Sequence, residues 1–145
     1  MKIRSMTLED VKEVYDIEKR AHITPWSESI LHDCIVVGYP CYVLIAHNII
    51  CGFMITRQQD YKCHLLNLCI APEYQGRGFG ESLLLYLMKN TKSDCAQILL
   101  EVRPSNFAAT HLYYKHGFKQ IGLKKDYYHD LDGTFEDALL LSYKR

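Results

Sequence analysis

Residues 63–80 read CHLLNLCIAPEYQGRGFG, and this stretch decides the fold of the chain. Cys63–Ile70 predicts a strand with Leu66, Leu68 and Ile70 on one face. Because the opposite face is also largely apolar, we expect a central strand covered on both sides. Ala71-Pro72 ends it, and a turn with three glycines leads into a helix from Phe79 to Thr91. A strand, a glycine turn and a helix in this order indicate an α/β protein.

The segments on either side of this stretch complete the prediction. Thr7 and Asp10 are typical of a helix start, as is Ser27, and Gly117 is typical of a helix end. His47-Asn48 predicts a hairpin turn, and Gly52 inside the following strand predicts a bulge or a close backbone approach. The expected strands are Lys2–Met6, Tyr42–Ala46, Ile49–Thr56, Gln97–Val102, Phe118–Leu123 and Glu136–Ser142. The further helices are residues 8–20, 28–34 and Asn106–His116, the last capped by Ser105. The helix beginning at Phe79 is expected to bury Phe79, Leu83, Tyr86 and Leu87.

Composition bounds what such a domain can do. The 145 residues are 48% hydrophobic and 23% charged, which predicts one globular domain over residues 1–145. Seventeen basic residues balance seventeen acidic ones, so no domain-wide field for nucleic acid or anionic lipid is expected. The longest apolar run, Leu83–Met88, is too short to span a membrane, and Met1–Asp10 lacks the apolar region of a secretory signal. Six cysteines without metal-ligand spacing predict buried, reduced thiols in a cytoplasmic protein.

The glycine loop, Gln75–Gly80, has two interpretations. Backbone N–H groups at a helix N-terminus can cradle phosphates, and glycines let an anion approach them. Arg77 adds a charge at the rim. Glu81 and Ser82 follow where a P-loop requires Lys-Ser/Thr, and Glu81 also takes the place of the third glycine of a dinucleotide fingerprint. The alternative is a turn that only reverses the chain.

Several segments together carry a family resemblance. The loop Gln75–Gly80 resembles the Arg/Gln-x-x-Gly-x-Gly/Ala motif of the GNAT superfamily of N-acetyltransferases. The other segments resemble its branch of ribosomal-protein alanine N-acetyltransferases (RimI type). They are Glu18–His22, Pro25–Glu28, Asn67–Pro72, Leu100–Asn106, Leu112-Tyr113, Gly117-Phe118, Tyr127-Tyr128 and Glu136–Ala138. The resemblance follows the chain in order over nearly its whole length.

The resemblance implies a fold and a cofactor site. The fold is a mixed central sheet, splayed between the strands that end at Ile70 and Val102, with about four flanking helices. It implies acetyl-CoA as co-substrate and no metal. The pantetheine arm would meet backbone groups of Leu68, Cys69 and Ile70, and Asn106 would contact it near the thioester. The pyrophosphate would be wrapped by Gly76, Arg77, Gly78, Phe79, Gly80 and Glu81.

Two residues are candidates for catalysis. Glu101 lies in the apolar run Ile98–Val102, where a charge is costly unless it is paired or used. It is either a general base or a carboxylate paired with Arg103 or a lysine. Tyr113 lies seven residues after Asn106, on the same helix face, and is either the acid that protonates the leaving thiolate or a core residue. Its neighbour Tyr114 points about 100° away, so only one of the two can face the site.

The remaining titratable residues give weaker signals. Seven histidines are scattered along the chain and are interpreted as surface or core groups, with His22 the one most worth testing. The stretch Asp126–Asp137 holds five acidic residues and no Lys or Arg. It is either a solvated loop or a rim that attracts a basic peptide.

The expected function is acetyl-CoA-dependent acetylation of a protein N-terminus. By the resemblance, the substrate is the N-terminal alanine of a small-subunit ribosomal protein with a basic tail. A free α-amino group has a pKa near 7.7–8.0, against about 10.4 for lysine, so it needs only a modest base. The alternatives are a GNAT enzyme for a small amine or a lysine side chain, and a non-catalytic acyl-CoA-binding module. No membrane or direct nucleic-acid partner is expected.

Overall fold

The computed structural model describes all 145 residues and has a seven-stranded sheet with four α-helices. The sheet order is β1-β2-β3-β4-β5-β7-β6. The strands are β1 (Lys2–Ser5), β2 (Cys41–Ala46), β3 (Ile49–Gln59), β4 (Lys62–Ile70), β5 (Gln97–Val102), β6 (Lys119–His129) and β7 (Phe135–Lys144). The helices are α1 (Val11–Ala21), α2 (Glu28–Val36), α3 (Phe79–Asn90) and α4 (Phe107–Lys115). The expected mixed α/β fold with four helices is confirmed.

The chain divides into two compact units. The first comprises residues 1–57 and 66–91, and its core packs α1 and α2 on the inner face of β2 and β3. Val14, Leu31, Val43 and Phe53 are fully buried there. Burying side chains of this size stabilises the fold by about 1.5–3 kcal/mol each.

Sequence signals at the helix starts act as expected. Asp10 accepts from the backbone N–H of Thr7 at 2.8 Å in a capping box, which precedes a short 3-10 turn and then α1. Ser27 accepts from the N–H of Ile30 at 3.1 Å and begins α2. Both bonds satisfy N–H groups that helix geometry leaves without a partner.

The hairpin between β2 and β3 accounts for the positive φ angles in its turn and for the glycine at position 52. His47 and Asn48 both have positive φ, 55° and 61°, which suits a tight turn between twisted strands. The register shifts opposite Gly52, and an added Cβ there would lie 2.8 Å from the carbonyl oxygen of Cys69. The bulge and the close backbone approach expected at Gly52 are thus both present, and no side chain fits there.

The second unit comprises residues 58–65 and 92–145 and is organised around β5. β5 pairs in parallel with the start of β4 and antiparallel with β7, and β6 forms the edge beyond. The ring of Phe118 lies 5.6 Å from that of Tyr113 and 5.5 Å from that of Tyr143. Pairing of β4 with β5 covers residues 62–65 and 97–100, so it ends before either strand does.

Four local predictions differ from the structure. Asn106, not Ser105, caps α4, because the amide and hydroxyl of Ser105 bind Glu136 instead. The face of β4 that carries Leu66 is only half-buried. In α3 the buried residues are Leu83, Leu84 and Leu87, while Phe79 and Tyr86 are half-buried. β6 and β7 are both longer than predicted, and in β6, the edge strand, exposed polar residues hide the alternation.

The cysteines and helices complete the description. All six cysteines are free and buried, as the sequence predicts. No helix combines the length and the apolar character needed to cross a membrane.

Candidate active site

The glycine loop has the geometry of an anion cradle. Gly76 and Gly78 have φ of 77° and 81°, which only glycine adopts freely, and a Cβ added at either would meet no atom within 4 Å. The bond from Ser82 N–H to Gly78 O, 3.0 Å long, is the first of α3. Helix geometry therefore leaves the amides of Phe79 and Gly80 without an intrahelical acceptor. These features fit the pyrophosphate of acetyl-CoA.

Side chains within the loop hold it in this shape. Gln75 donates to the carbonyl of Ile70 at 3.0 Å, which fixes the loop to the end of β4. Arg77 donates to the carbonyl of Glu73 at 3.3 Å and lies over the ring of Tyr74. Arg77 is exposed, and its contact with the pyrophosphate stays a prediction.

The end of β4 shows which groups remain for a ligand. Leu68 and Ile70 are half-buried, whereas Cys69 is buried. The carbonyl of Ile70 is already engaged by Gln75. Burial raises the pKa of the Cys69 thiol, and the charge of Glu18 adds to this. Cys69 is therefore a neutral packing residue, and only its backbone can serve a cofactor.

Glu101 lies near the end of β5, and two cationic or titratable groups bind its carboxylate. His64 Nε2 lies 2.6 Å from Oε2, and Lys124 Nζ donates to Oε1 at 2.7 Å. The Glu101 side chain is 9% exposed, so these bonds compensate for a charge that burial would otherwise penalise. Of the two partners that the sequence offers, a lysine is present, and Arg103 binds elsewhere.

The partners of Glu101 determine its basicity. Burial raises the pKa of the carboxyl, but the hydrogen bonds and charges of His64 and Lys124 outweigh it and lower the pKa to about 2. An α-ammonium group has a pKa near 8, well above the pKa of this carboxyl, so proton transfer to the carboxylate alone is unfavourable. The hydrogen bonds from His64 and Lys124 therefore keep Glu101 ionised near neutral pH and make it a weak base.

Tyr113 is a phenol that keeps its proton. It is buried on α4, while Tyr114 is exposed, as the helical spacing predicts for the pair. Burial raises the pKa of Tyr113, and the neighbouring Tyr128 adds to the effect. The pKa of Tyr128 is itself raised, to about 12, by burial first and by Tyr127 and Glu101 after it. A protonated phenol can donate to a leaving sulfur, which is the chemistry expected of Tyr113.

Asn106 caps a helix, in addition to its expected contact with the pantetheine arm. Its side-chain oxygen accepts from the N–H of Ala109 at 3.2 Å and caps α4. The cap fixes the amide orientation, so the side-chain NH₂ group is the part available to a ligand.

The acidic stretch Asp126–Asp137 is largely engaged by protein groups. Arg103 binds Asp130 at 2.9 Å and Glu136 at 3.1 Å, so a cation from outside the stretch neutralises part of its charge. Asp137 accepts from the backbone of Asp126. The interpretation of this stretch as an attractive rim is therefore weaker than its composition suggests.

A second cluster of polar groups lies around Glu18 in the first unit. Glu18 is 1% exposed and accepts from Trp26 N–H at 2.9 Å and from Asn67 Nδ2 at 3.0 Å. His22 Nε2 is 3.6 Å from the same carboxylate, and Cys69 lies close by. Because both carboxylate oxygens are bound and the thiol is protonated, these residues suit a structural role better than a metal.

Sequence reasoning allowed for a lysine beside Glu101 without saying which one, and it missed His64. His64 is the single histidine of β4, and it lies on the face that also carries Leu66. The parallel register pairs His64 with Leu99. Glu101 follows Leu99 by two residues, so it lies on the same face of β5. The alternation of β4 was a usable signal, but the register between the two strands was not available without the structure.

Known proteins resemble the chain over most of its length. The model of the acetyltransferase (GNAT) family matches residues 8–118. The [ribosomal protein bS18]-alanine N-acetyltransferase of Haemophilus influenzae is 39% identical over 134 residues, covering 92% of this chain and 91% of the relative. Its Escherichia coli counterpart is 35% identical, covering 97% and 95%. The crystal structure of the ribosomal-protein-S18-alanine N-acetyltransferase from Escherichia coli matches with a TM-score of 0.91 and 33% identity, over 99% of this chain and 92% of that one.

The fold, the glycine loop and these matches define an acyltransferase that draws its acyl group from a coenzyme A thioester. The chain belongs to the GNAT family of acetyltransferases. It is thus an enzyme that transfers acetyl from acetyl-CoA to nitrogen, and the family resemblance seen in the sequence is confirmed.

Proposed function

We propose that this enzyme acetylates the α-amino group of a protein N-terminus, most specifically the N-terminal alanine of a small-subunit ribosomal protein. The observation that carries the proposal is the similarity to two enzymes named for alanine of ribosomal protein bS18. Each is at least 35% identical, and more than nine-tenths of both chains is aligned. A second support is chemical, because an α-amino group loses its proton far more easily than a lysine side chain does.

The proposed cofactor residues belong to the first unit. The amides from Gly76 to Glu81 bind the pyrophosphate of acetyl-CoA, with Arg77 adding charge at the rim. Backbone groups of Leu68, Cys69 and Ile70 bind the pantetheine arm. The open space beside Gly76 and Gly78 supports the first of these roles. When bound, acetyl-CoA supplies an activated acyl group on a good leaving thiolate.

The proposed proton transfers belong to the second unit. Glu101 provides the negative charge on the base side of the reaction, where the amine loses a proton as it attacks the acetyl carbonyl carbon, whether that proton reaches the carboxylate or a group bound to it. Tyr113 donates its phenol proton to the sulfur as the C–S bond breaks. Asn106 holds the arm near the thioester. The buried, protonated state of Tyr113 supports its assignment.

We further propose that residues 1–145 work as one acetyltransferase domain in the cytoplasm. Six buried thiols without a disulfide support a reducing compartment. Acetyl-CoA and a protein N-terminus are the partners of the proposal.

A mass-shift assay with peptides tests the substrate. The enzyme and acetyl-CoA are incubated with three acceptors in separate reactions. The first is a basic, lysine-containing peptide that begins with alanine, the second is the same peptide with its N-terminus blocked and its lysines free, and the third is spermidine as a small amine. We expect a 42-Da shift on the free N-terminus only, since acetyl replaces one hydrogen (about 42 Da by atomic masses).

Two controls decide between the alternatives. A peptide series that varies only the first residue reports the preference for alanine. Modification of the blocked, lysine-containing peptide or of spermidine would contradict the proposal and favour the other GNAT activities. Binding of acetyl-CoA by calorimetry with no product from any acceptor would favour an acyl-CoA-binding module.

A further inference from the structure

His64 is the one titratable group that binds the Glu101 carboxylate from the neighbouring strand. Its Nε2 lies 2.6 Å from Glu101 Oε2, and its side chain is 22% exposed. The imidazole therefore contacts the nearly buried carboxylate while its side chain stays partly exposed. None of the expected catalytic roles includes this residue.

The charge of Glu101 determines which nitrogen of His64 carries the proton. An ionised carboxylate only accepts hydrogen bonds, so His64 Nε2 must be the donor of the 2.6 Å bond. In the neutral imidazole the other nitrogen, Nδ1, then holds a lone pair. A carboxylate that fixes the tautomer of an imidazole is the arrangement that prepares a histidine to accept a proton.

We propose that His64 Nδ1 accepts the proton from the substrate amine, and that Glu101 is a positioning residue that holds and charges the imidazole. This inference rests on the proposed transfer to an amine. As the N–C bond forms and the C–S bond breaks, the amine proton moves to Nδ1 and the Tyr113 proton moves to sulfur. Proton release from His64 and uptake by Tyr113, both through solvent, restore the enzyme.

The groups around the imidazole favour this assignment over direct transfer to Glu101. Lys124 also binds Glu101, lies 5.2 Å above the ring of Tyr127, and helps to lower the pKa of Glu101 to about 2. Tyr128 has its pKa raised to about 12 by burial, so it stays neutral during turnover. Histidine is the side chain used most often as a general base, because one ring nitrogen can accept a proton while the other donates a hydrogen bond.

The variant His64→Gln tests the proposal. Glutamine can still donate an N–H to Glu101 but cannot take up a proton near neutral pH. With saturating acetyl-CoA and an alanine-initiated peptide, we expect kcat to fall by about 10²-fold, as for loss of a general base. The acid limb of the kcat–pH profile between about pH 5 and 8 should disappear. His47→Asn in the exposed hairpin turn removes an imidazole elsewhere and should leave both unchanged.

A second measurement does not depend on the variant. Two-dimensional NMR of the ¹⁵N-labelled wild-type enzyme reports the tautomer of each histidine ring, and we expect His64 to carry its proton on Nε2 with Nδ1 unprotonated above pH 8. A proton on Nδ1 would overturn the proposal. So would a His64→Gln enzyme that retains kcat, or one that loses kcat while keeping the wild-type pH profile.

The outcomes also separate this inference from the proposed function. If wild-type enzyme acetylates the alanine-initiated peptide and His64→Gln does so equally well, only the role of His64 is wrong. If the wild type binds acetyl-CoA and modifies no peptide N-terminus, the proposed function itself is wrong. The NMR tautomer then still tests whether Glu101 orients the ring.

Discussion

Two nearly buried carboxylates, Glu18 in the first unit and Glu101 in the second, are held by different kinds of donor. In the first unit, Glu18 accepts from two neutral groups, the backbone N–H of Trp26 and the amide of Asn67. In the second unit, Glu101 is held by His64 and Lys124, both able to carry positive charge. Both side chains are less than one-tenth exposed. Burial alone therefore does not distinguish a carboxylate that stabilises the fold from one that takes part in the reaction.

The difference lies in what a proton can do at each site. The two groups that donate hydrogen bonds to Glu18 are amides, which do not titrate at ordinary pH, and His22 Nε2 is further away at 3.6 Å, so the main role of Glu18 is to fix the segment around Trp26 against Asn67. His64 and Lys124 are acids, so the charge of Glu101 is linked to their protonation. We therefore expect changes at Glu18 to act on stability and changes at Glu101 to act on turnover.

The largest expected effect is that of Glu101→Gln. Removing the charge that orients His64 should lower kcat by about 10²–10⁴-fold, the range for loss of a general base. The KM for acetyl-CoA should stay within about twofold, because the glycine loop is untouched. Steady-state kinetics with an alanine-initiated peptide measure both, and Glu9→Gln at an exposed position is the matched control. A Glu101→Gln variant with full kcat would show that the carboxylate of Glu101 has no part in removing the proton from the amine.

Tyr113→Phe should have the next largest effect. The substitution keeps the ring against Phe118 and removes only the hydroxyl, so the fold should persist. We expect kcat to fall by about 10²-fold, the lower range for loss of a general acid. Tyr114→Phe on the exposed side of α4 is the control and should match the wild type. Equal rates for the two variants would assign Tyr113 to the core.

The contrast between the carboxylates could be predicted from the sequence only in part. Glu101 is conspicuous as the one charge in an apolar strand, whereas Glu18 lies on an amphipathic helix and looks like a surface residue. Its burial results from the turn after α1, which brings Trp26 back to it. Non-local hydrogen bonds of this kind leave no periodic signal.

Local signals performed better than long-range ones for the same reason. The cap at Ser27, the hairpin at His47 and Asn48, and the close approach at Gly52 depend on residues near one another in sequence or on steric rules for one residue. The partners of Glu101 come from β4 and β6, and choosing them requires strand register. The cap at Ser105 failed because Glu136, 31 residues away, binds that serine.

Glu18→Gln should destabilise the protein and leave turnover largely intact. One carboxylate oxygen is replaced by an NH₂ group, which turns a donor towards Trp26 or Asn67 and leaves a buried donor unpaired. We expect a loss of about 1–3 kcal/mol in the free energy of unfolding, measured by urea denaturation. kcat should stay close to that of the wild type, because Glu18 binds neither Glu101 nor Tyr113. Glu13→Gln on the exposed side of α1 is the control, and a kcat loss equal to that of Glu101→Gln would abolish the distinction between the sites.

The pH dependence of stability gives a smaller effect at Glu101. The pKa of this carboxyl is lower in the folded protein than in the unfolded chain, so its contribution is complete above about pH 4.5 and is lost as the pH falls towards about 2. We expect wild type to exceed Glu101→Gln by about 1–2 kcal/mol at pH 6, with the difference shrinking by pH 3. Urea denaturation at both pH values measures it. A difference that grows on acidification would reverse the sign of the linkage.

Lys124→Met gives the smallest expected change and tests the contrast most directly, because it removes one charged donor and leaves His64. Lys124 is 44% exposed, so its loss should cost no more than about 1 kcal/mol of stability. The pKa of Glu101 should rise above its wild-type value, moving the acid loss of stability to higher pH. Since His64 still binds the carboxylate, kcat should fall much less than it does in Glu101→Gln. Lys125→Met, one residue along, is the matched control. If Lys124→Met instead lowers kcat as far as Glu101→Gln does, the ammonium of Lys124 rather than the imidazole of His64 is the partner through which Glu101 acts in the reaction.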